Sequence, residues 1–221
     1  MKLNVSQAET LLNAGVGGAI MPQAKIRHSY AVANCAKKIA QRCGLDGEKA
    51  YVLGLLHDIG YHMGLSQHPI KGYLYLKDLG VDSEYANICL THSFLCGNPN
   101  FTADGLLVVD GEVKPNSIIP YKEEMQKRFF LNFLQNHKYT EYEHIINVCD
   151  LMCTDKIIGL EARLADLIER KGEFVTTKNH CAVAKAMVKQ LEEKMCISME
   201  QLFPEMKENL NSPETYRSEM E

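Results

Sequence analysis

The sequence predicts an all-α protein, a helical bundle carrying a C-terminal helical extension. Three observations predict it. Apolar residues recur at i, i+3 and i+4 along most of the chain, as in Val32, Cys35, Ala36, Ile39 and Cys43, the spacing of one buried helix face. Capping residues and glycines bracket these stretches, as Asp46 does at a start and Gly44 at an end, where side-chain acceptors and left-handed backbone are favoured. Only one short run, Leu106–Val109, has the composition of a strand.

Taken in order, Ser6-x-x-Glu9 reads as a capping box opening a helix to about Asn13, ended by Gly15, Gly17 and Gly18. The next helix is expected over residues 28–43, beginning at His28 and closed by Gly44. Asp46 is the expected N-cap of a strongly apolar helix that ends at His57-Asp58. Pro69 and Gly80 fit the first turn and the exit of a helix over 69–79. Asp82 is expected to cap a helix reaching about Ser93. Residues 95–120, rich in Gly, Pro and Asn, read as a loop or small hairpin inserted between helices. Helices are then expected over 121–137, 140–153, 159–170 and 180–195. Pro204 breaks a last helical region, and the polar tail from Ser212 is expected to fray. The expected division is one helical domain over residues 1–170, containing the insertion, with an extension over 171–221 packed on it.

Composition excludes several classes. A chain of 221 residues with 46% hydrophobic and 24% charged residues suits a soluble globular protein of one substantial domain. Its net charge of −4 argues against nucleic acid held on a general basic surface. No apolar run approaches the ~18 residues of a membrane span, and the polar start lacks the apolar core of a signal peptide. The eight cysteines include no Cys-x-x-Cys pair. Most lie within helical apolar patterns, so they read as reduced core thiols in a cytoplasmic protein. Cys149 and Cys153 lack the second pair that a zinc knuckle needs.

The chemistry centres on His57-Asp58, at the end of Ala50-Tyr51-Val52-Leu53-Gly54-Leu55-Leu56 and followed by Ile59-Gly60. A carboxylate in apolar surroundings is costly unless it is paired, hydrogen-bonded or on a metal, and the adjacent imidazole makes a metal the natural partner. Four more residues can join the pair: His28, His68 before Pro69, His92 at the end of Ile88-Cys89-Leu90-Thr91, and Asp150 inside Ile145-Ile146-Asn147-Val148-Cys149 and Leu151-Met152. Asp155, in Cys153-Thr154-Asp155-Lys156, is a rival to Asp150. Asp150 is preferred for its more apolar neighbours and its place within a helix. Imidazole and carboxylate together suit divalent Fe, Mn, Co, Ni or Zn better than Ca.

The order His28, His57-Asp58, Asp150 resembles the HD-domain superfamily of metal-dependent phosphohydrolases. Leu55-Leu56-His57-Asp58-Ile59-Gly60 looks like that family's central motif in full, and the likeness covers roughly residues 25–155. His68 and His92 fit the subgroup with two further histidines, whose members hold two metals. The resemblance implies a helical bundle with the centre in its middle. His28, His57, Asp58 and Asp150 would hold one cation and His68 and His92 a second, with Asp58 bridging and orienting the attacking water as catalytic residue. The implied cofactors are one or two divalent transition metals, two being favoured.

The implied activity is hydrolysis of a small phosphorylated substrate, a nucleotide by resemblance, through attack of a metal-bound hydroxide. Diadenosine polyphosphates, guanosine alarmones and nucleoside monophosphates are substrates of different branches. The residues after His92, Ser-Phe-Leu-Cys-Gly, lack the paired histidines and Gly-Tyr-Pro element of the cyclic-dinucleotide esterase branch, which argues against that activity. A di-iron oxygenase, also found on this fold with six ligands, and a non-enzymatic binding module are the alternatives. Lys71, one turn from His68, is either a solvated lysine or a contact to substrate phosphate. His62 is expected to line the site mouth or face solvent, while His137, His144 and His180 read as ordinary. A homodimer is compatible with the sequence.

Overall fold

The structure is a computed structural model that describes residues 1–64, 67–92, 95, 106–109, 112–115, 129, 132–133, 136–173 and 177–210. Helices dominate it. They are α1 (Val5–Ala14), α2 (Gln23–Arg42), α3 (Gly47–Leu56), a 3-10 turn (Ile59–Met63), α4 (His68–Asp78), α5 (Ser83–Ala86), α6 (Ile88–Thr91), α7 (Glu141–Asp150), α8 (Leu160–Lys171), α9 (Thr177–Met195), α10 (Met199–Leu202) and α11 (Met206–Leu210). Among the described residues, strand is confined to a hairpin in the insertion. There β1 (Leu106–Val109) pairs antiparallel with β2 (Glu112–Pro115), with Val108 opposite Val113.

The centre of the bundle is the packing of α2 on α3, with α1 and α7 against it, while α4 packs on the 3-10 turn and α6. α2 buries one continuous face that includes Ile26, Val32, Ala33, Ala36 and Ile39. α3 buries nearly all its residues, so it behaves as the hydrophobic axle of the fold. The two helices approach closely because Gly54 faces Ala33. A Cβ at Gly54 would lie 2.5 Å from the Ala33 Cα, so any side chain there would force the helices apart. α9 buries His180, Ala184, Met187 and Leu191 and contacts α2, α7 and α8.

Several helix ends follow the expected chemistry. Asp46 accepts the amides of Glu48 and Lys49. Thr140 and Glu143 form a capping box at the start of α7. Pro204 separates α10 from α11.

Others differ. The box that opens α1 is Asn4 with Gln7, two residues earlier than Ser6 with Glu9; both segments carry the same residue types, and packing of Leu3 and Ala8 favours the earlier start. α2 begins at Gln23, so His28 stands inside the helix and not at its opening. Pro22 sets that start without a side-chain cap, which leaves little sequence signal. Asp82 makes no capping bond to α5. Its carboxylate instead takes the terminal ammonium of Met1 at 2.8 Å. The helix expected after it is divided at Asn87, whose carbonyl accepts from both Leu90 and Thr91, a local tightening toward 3-10 geometry. The helix expected over 121–137 and the tail from Ser212 lie largely or wholly outside the described residues.

Candidate metal centre

Five elements deliver their ends or inner faces to one buried point. α2 supplies His28. The last turn of α3 supplies His57, which still accepts helical geometry at the C-cap, and Asp58 follows at the junction with the 3-10 turn. The first residue of α4 is His68, the C-cap of α6 is His92, and the last residue of α7 is Asp150. His28, His57, Asp58, His68 and His92 are each at most 4% exposed. Asp150 is half-buried at its rim.

Two glycines let α4 come close enough to place His68. A Cβ at Gly60 would lie 1.9 Å from the His68 carbonyl oxygen and 2.8 Å from the Gly72 nitrogen, and one at Gly72 would lie 3.0 Å from the Cys89 sulfur. The 3-10 turn therefore rests backbone to backbone on α4.

The acceptor atoms fall into two groups that share Asp58. Its Oδ2 faces the first, lying 3.9 Å from His28 Nε2 and 3.5 Å from His57 Nε2. Asp150 Oδ1 closes that group, 3.0 Å from His28 Nε2 and 3.9 Å from His57 Nε2. Asp58 Oδ1 faces the second group, 3.2 Å from both His68 Nε2 and His92 Nε2. Those two nitrogens are 3.1 Å apart. Donors ~2.1 Å from a common cation at tetrahedral to octahedral angles would stand ~3.0–3.4 Å from one another. The second triangle has those edges.

Tautomers agree with this reading. His28 Nδ1–H donates to the Thr154 carbonyl at 2.8 Å, His57 Nδ1–H to the Gly54 carbonyl at 2.7 Å, and His92 Nδ1–H to the Ile88 carbonyl at 3.2 Å. Each bond leaves the Nε2 lone pair facing the centre, the arrangement in which backbone carbonyls orient metal-binding imidazoles. His57 Nε2 is fully buried with no hydrogen-bond partner. An orphaned acceptor among two carboxylates and three more imidazoles is what a cation would satisfy. The donor set fits divalent transition metals.

Electrostatics favour the same state. Burial, opposed by Asp58 and Asp150, pushes the His57 imidazole down to about 4, so it is neutral at physiological pH. For Asp58, burial acts upward, but the Lys25 ammonium, His57 and the close His68 and His92 rings hold the carboxyl well below its usual range. Asp150 is likewise held down, against burial, by its close approach to His28 and by His57. His57 is thus a neutral imidazole between two ionised carboxylates, the protonation that metal binding requires of these three residues.

Sequence reasoning missed three participants. Lys25, on the buried face of α2 and one turn before His28, places Nζ 3.1 Å from Asp58 Oδ2. The same Nζ lies 4.1 Å from the centre of the Tyr61 ring, and Tyr61 stacks on His68 with centroids 4.0 Å apart. Asn147 donates to the carbonyls of Thr91 and His92 at 3.0 and 3.1 Å, fastening α7 to the end of α6. The i, i+3 spacing of Lys25 and His28, and of Asn147 and Asp150, was the available signal.

The remaining expectations resolve as follows. Asp155 pairs with Arg27 at 3.6 Å, and Asp150 is the carboxylate found against His28 and His57. Lys71 donates to the Met63 carbonyl at 2.9 Å, closing α4 onto the 3-10 turn. His62 neither lines a mouth nor faces solvent. It is buried, and its Nδ1 accepts the Met21 amide at 2.9 Å, because the approach to α2 folds over the 3-10 turn. His137 pairs with Glu143 at 2.8 Å.

An all-helical bundle with a buried centre of four imidazoles and two carboxylates defines a class of metal-binding helical domains. Within that class the chain belongs to the HD domain family, whose model matches residues 26–155, more than half of its length. The family consists mostly of metal-dependent hydrolases. No curated protein and no solved structure matches the chain. Among the described residues, no helix is long and apolar enough to cross a membrane.

Proposed function

We propose that the protein is a metal-dependent phosphohydrolase that acts on a small phosphorylated substrate, a nucleotide, and that its six site residues hold two divalent cations. The carrying observation is the division of Asp58 between two acceptor groups, Oδ2 toward His28 and His57 and Oδ1 toward His68 and His92. A carboxylate so placed bridges two positions, and paired cations suit in-line displacement at phosphorus. When bound, such cations acidify water and polarise phosphoryl oxygens. The chain's own part is to fix the positions. Asp58 joins them, and Asp150 adds a second negative charge on the His28 side. The carbonyls of Thr154, Gly54 and Ile88 hold the rings in the acceptor tautomer. Burial excludes bulk water from the inner faces of the imidazoles.

Asp58→Ala removes the shared donor. Both metals should be lost on elemental analysis, and hydrolysis across a panel of nucleoside mono-, di- and polyphosphates with Mn, Co, Fe and Ni should fall by more than about 100-fold. A fully active, metal-replete variant would sink the assignment. Oxygen consumption with two irons bound and no phosphate release would assign the centre to oxidative chemistry instead.

A further inference from the structure

Lys25 is 7% exposed. A buried ammonium is costly without an anion, and this one rests on Asp58 Oδ2 at 3.1 Å and against the face of Tyr61. The bond is specific in position. Asp58 presents Oδ1 to His68 and His92, and Lys25 takes the other oxygen, the one turned toward His28 and His57. Without metals, Asp58 is a buried carboxylate, and the lysine provides the compensating charge. With a cation among His28, His57 and Asp150, the same oxygen would serve two positive charges on one side of a dry site, and they would repel one another.

We propose that Lys25 is the built-in counter-ion of the empty centre and competes with the cation on the His28 side for Asp58 Oδ2. This rests on the metal-centre reading above. Lys25 thereby keeps the unmetallated fold intact and lowers affinity at one position while leaving the His68–His92 position nearly unaffected. The arrangement trades one requirement of a buried metal site for another: the empty protein gains stability, and the ion on the His28 side is held less tightly.

Two variants separate charge from packing. Lys25→Gln keeps a hydrogen-bond donor for Asp58 and removes the charge, whereas Lys25→Arg keeps the charge. Metal-stripped proteins are titrated with Mn(II) by calorimetry, and their melting is followed in EDTA and in Mn(II). Lys25→Gln should bind the first Mn(II) about tenfold more tightly, as expected when a competing opposite charge is withdrawn from a buried carboxylate. It should also melt lower than wild type in EDTA and gain more from metal. Lys25→Arg should titrate like wild type, and the second Mn(II) should bind alike in all three. A purely structural lysine would lower melting in EDTA without tightening the metal. Unchanged or weaker first-site affinity in Lys25→Gln overturns the proposal while leaving the metal centre standing. A wild-type protein that takes up no metal overturns both.

Discussion

The two halves of the centre are built by different means. The His28 side stands on long, well-packed helices. Its rings are locked by backbone carbonyls, and it collects two carboxylates, Asp150 and Asp58 Oδ2, together with Lys25. The His68 side stands on the first residue of α4 and on the C-cap of a four-residue helix, and it has one carboxylate oxygen. Apart from the Ile88 carbonyl on His92, its geometry comes from neighbours: the glycine contact under α4, the Tyr61 ring on His68, and the Asn147 amide on the carbonyl of His92. One half is held by secondary structure and charge and the other by packing, so the His68 side should fail without taking the His28 side with it.

The largest contrast is expected from removing one imidazole on each side. His57→Ala should cost the first cation and, through it, the ordering of the bridge, so both metals and activity fall together. His92→Ala should leave one metal bound while activity drops by more than about 100-fold, as when a stabiliser of developing charge is removed. Metal counting on the two variants checks it. Loss of both metals from His92→Ala would show that the halves are not separable.

Next in size is Gly60→Ala. A methyl group there would overlap the His68 carbonyl at 1.9 Å, and relief requires α4 to move away from the 3-10 turn. Overpacking of this kind costs ~1–3 kcal/mol. The damage should fall on the His68 side, with lower melting temperature and a weakened second metal. An unchanged second-site affinity would show that His68 is positioned by something other than this contact.

Acid separates the halves less sharply. His57 is held near 4, below its unfolded value of 6.5. The unfolded chain therefore takes up this proton first as pH falls, and stability declines from about pH 6.5 to 4 by on the order of 3 kcal/mol. Asp58 and Asp150, held below their unfolded values, add a further loss at lower pH, as the unfolded carboxylates take up protons ahead of the folded ones. Denaturant melts of the metal-free protein from pH 7 down to about pH 2 measure the sum. His57→Gln should flatten the upper part of that curve.

The uneven construction also explains what could be read from sequence. Long periodic helices such as α2 and α9 announce themselves, because the pattern repeats over several turns, and α3 does so by being apolar nearly all round. Their starts are weaker: only Pro22 marks the opening at Gln23, so from sequence His28 reads as a first residue. The six donor residues share a chemical type and lie in a recognisable order. Lys25 does not look like a site residue, because its partner Asp58 is 33 positions away in sequence and a lysine normally reads as solvated. Thr154 acts through a backbone carbonyl, which has no sequence signature. Asp150 and Asp155 differ only in where α7 stops. One lies on the last turn facing His28, and the other lies beyond it and meets Arg27.

The smallest expected effect isolates the packing half most cleanly. Asn147 is fully buried and touches no imidazole nitrogen; its amide holds the Thr91 and His92 carbonyls. Asn147→Ala leaves two buried carbonyls without that donor, a loss of ~1–3 kcal/mol. Metal affinity on the His68 side should fall by roughly 10-fold, the lower end of the range for residues that orient ligands from behind. The His28 side should keep its affinity, because Thr154, Gly54 and Asp150 are unaffected. Asn147→Asp offers the sharper comparison. It retains the shape but replaces the donor with a carboxylate that would repel those carbonyls, so the second site should weaken further than in the alanine variant. If both variants lowered stability and left second-site affinity untouched, Asn147 would be a helix clamp alone, and the position of His92 would be set by α6 itself.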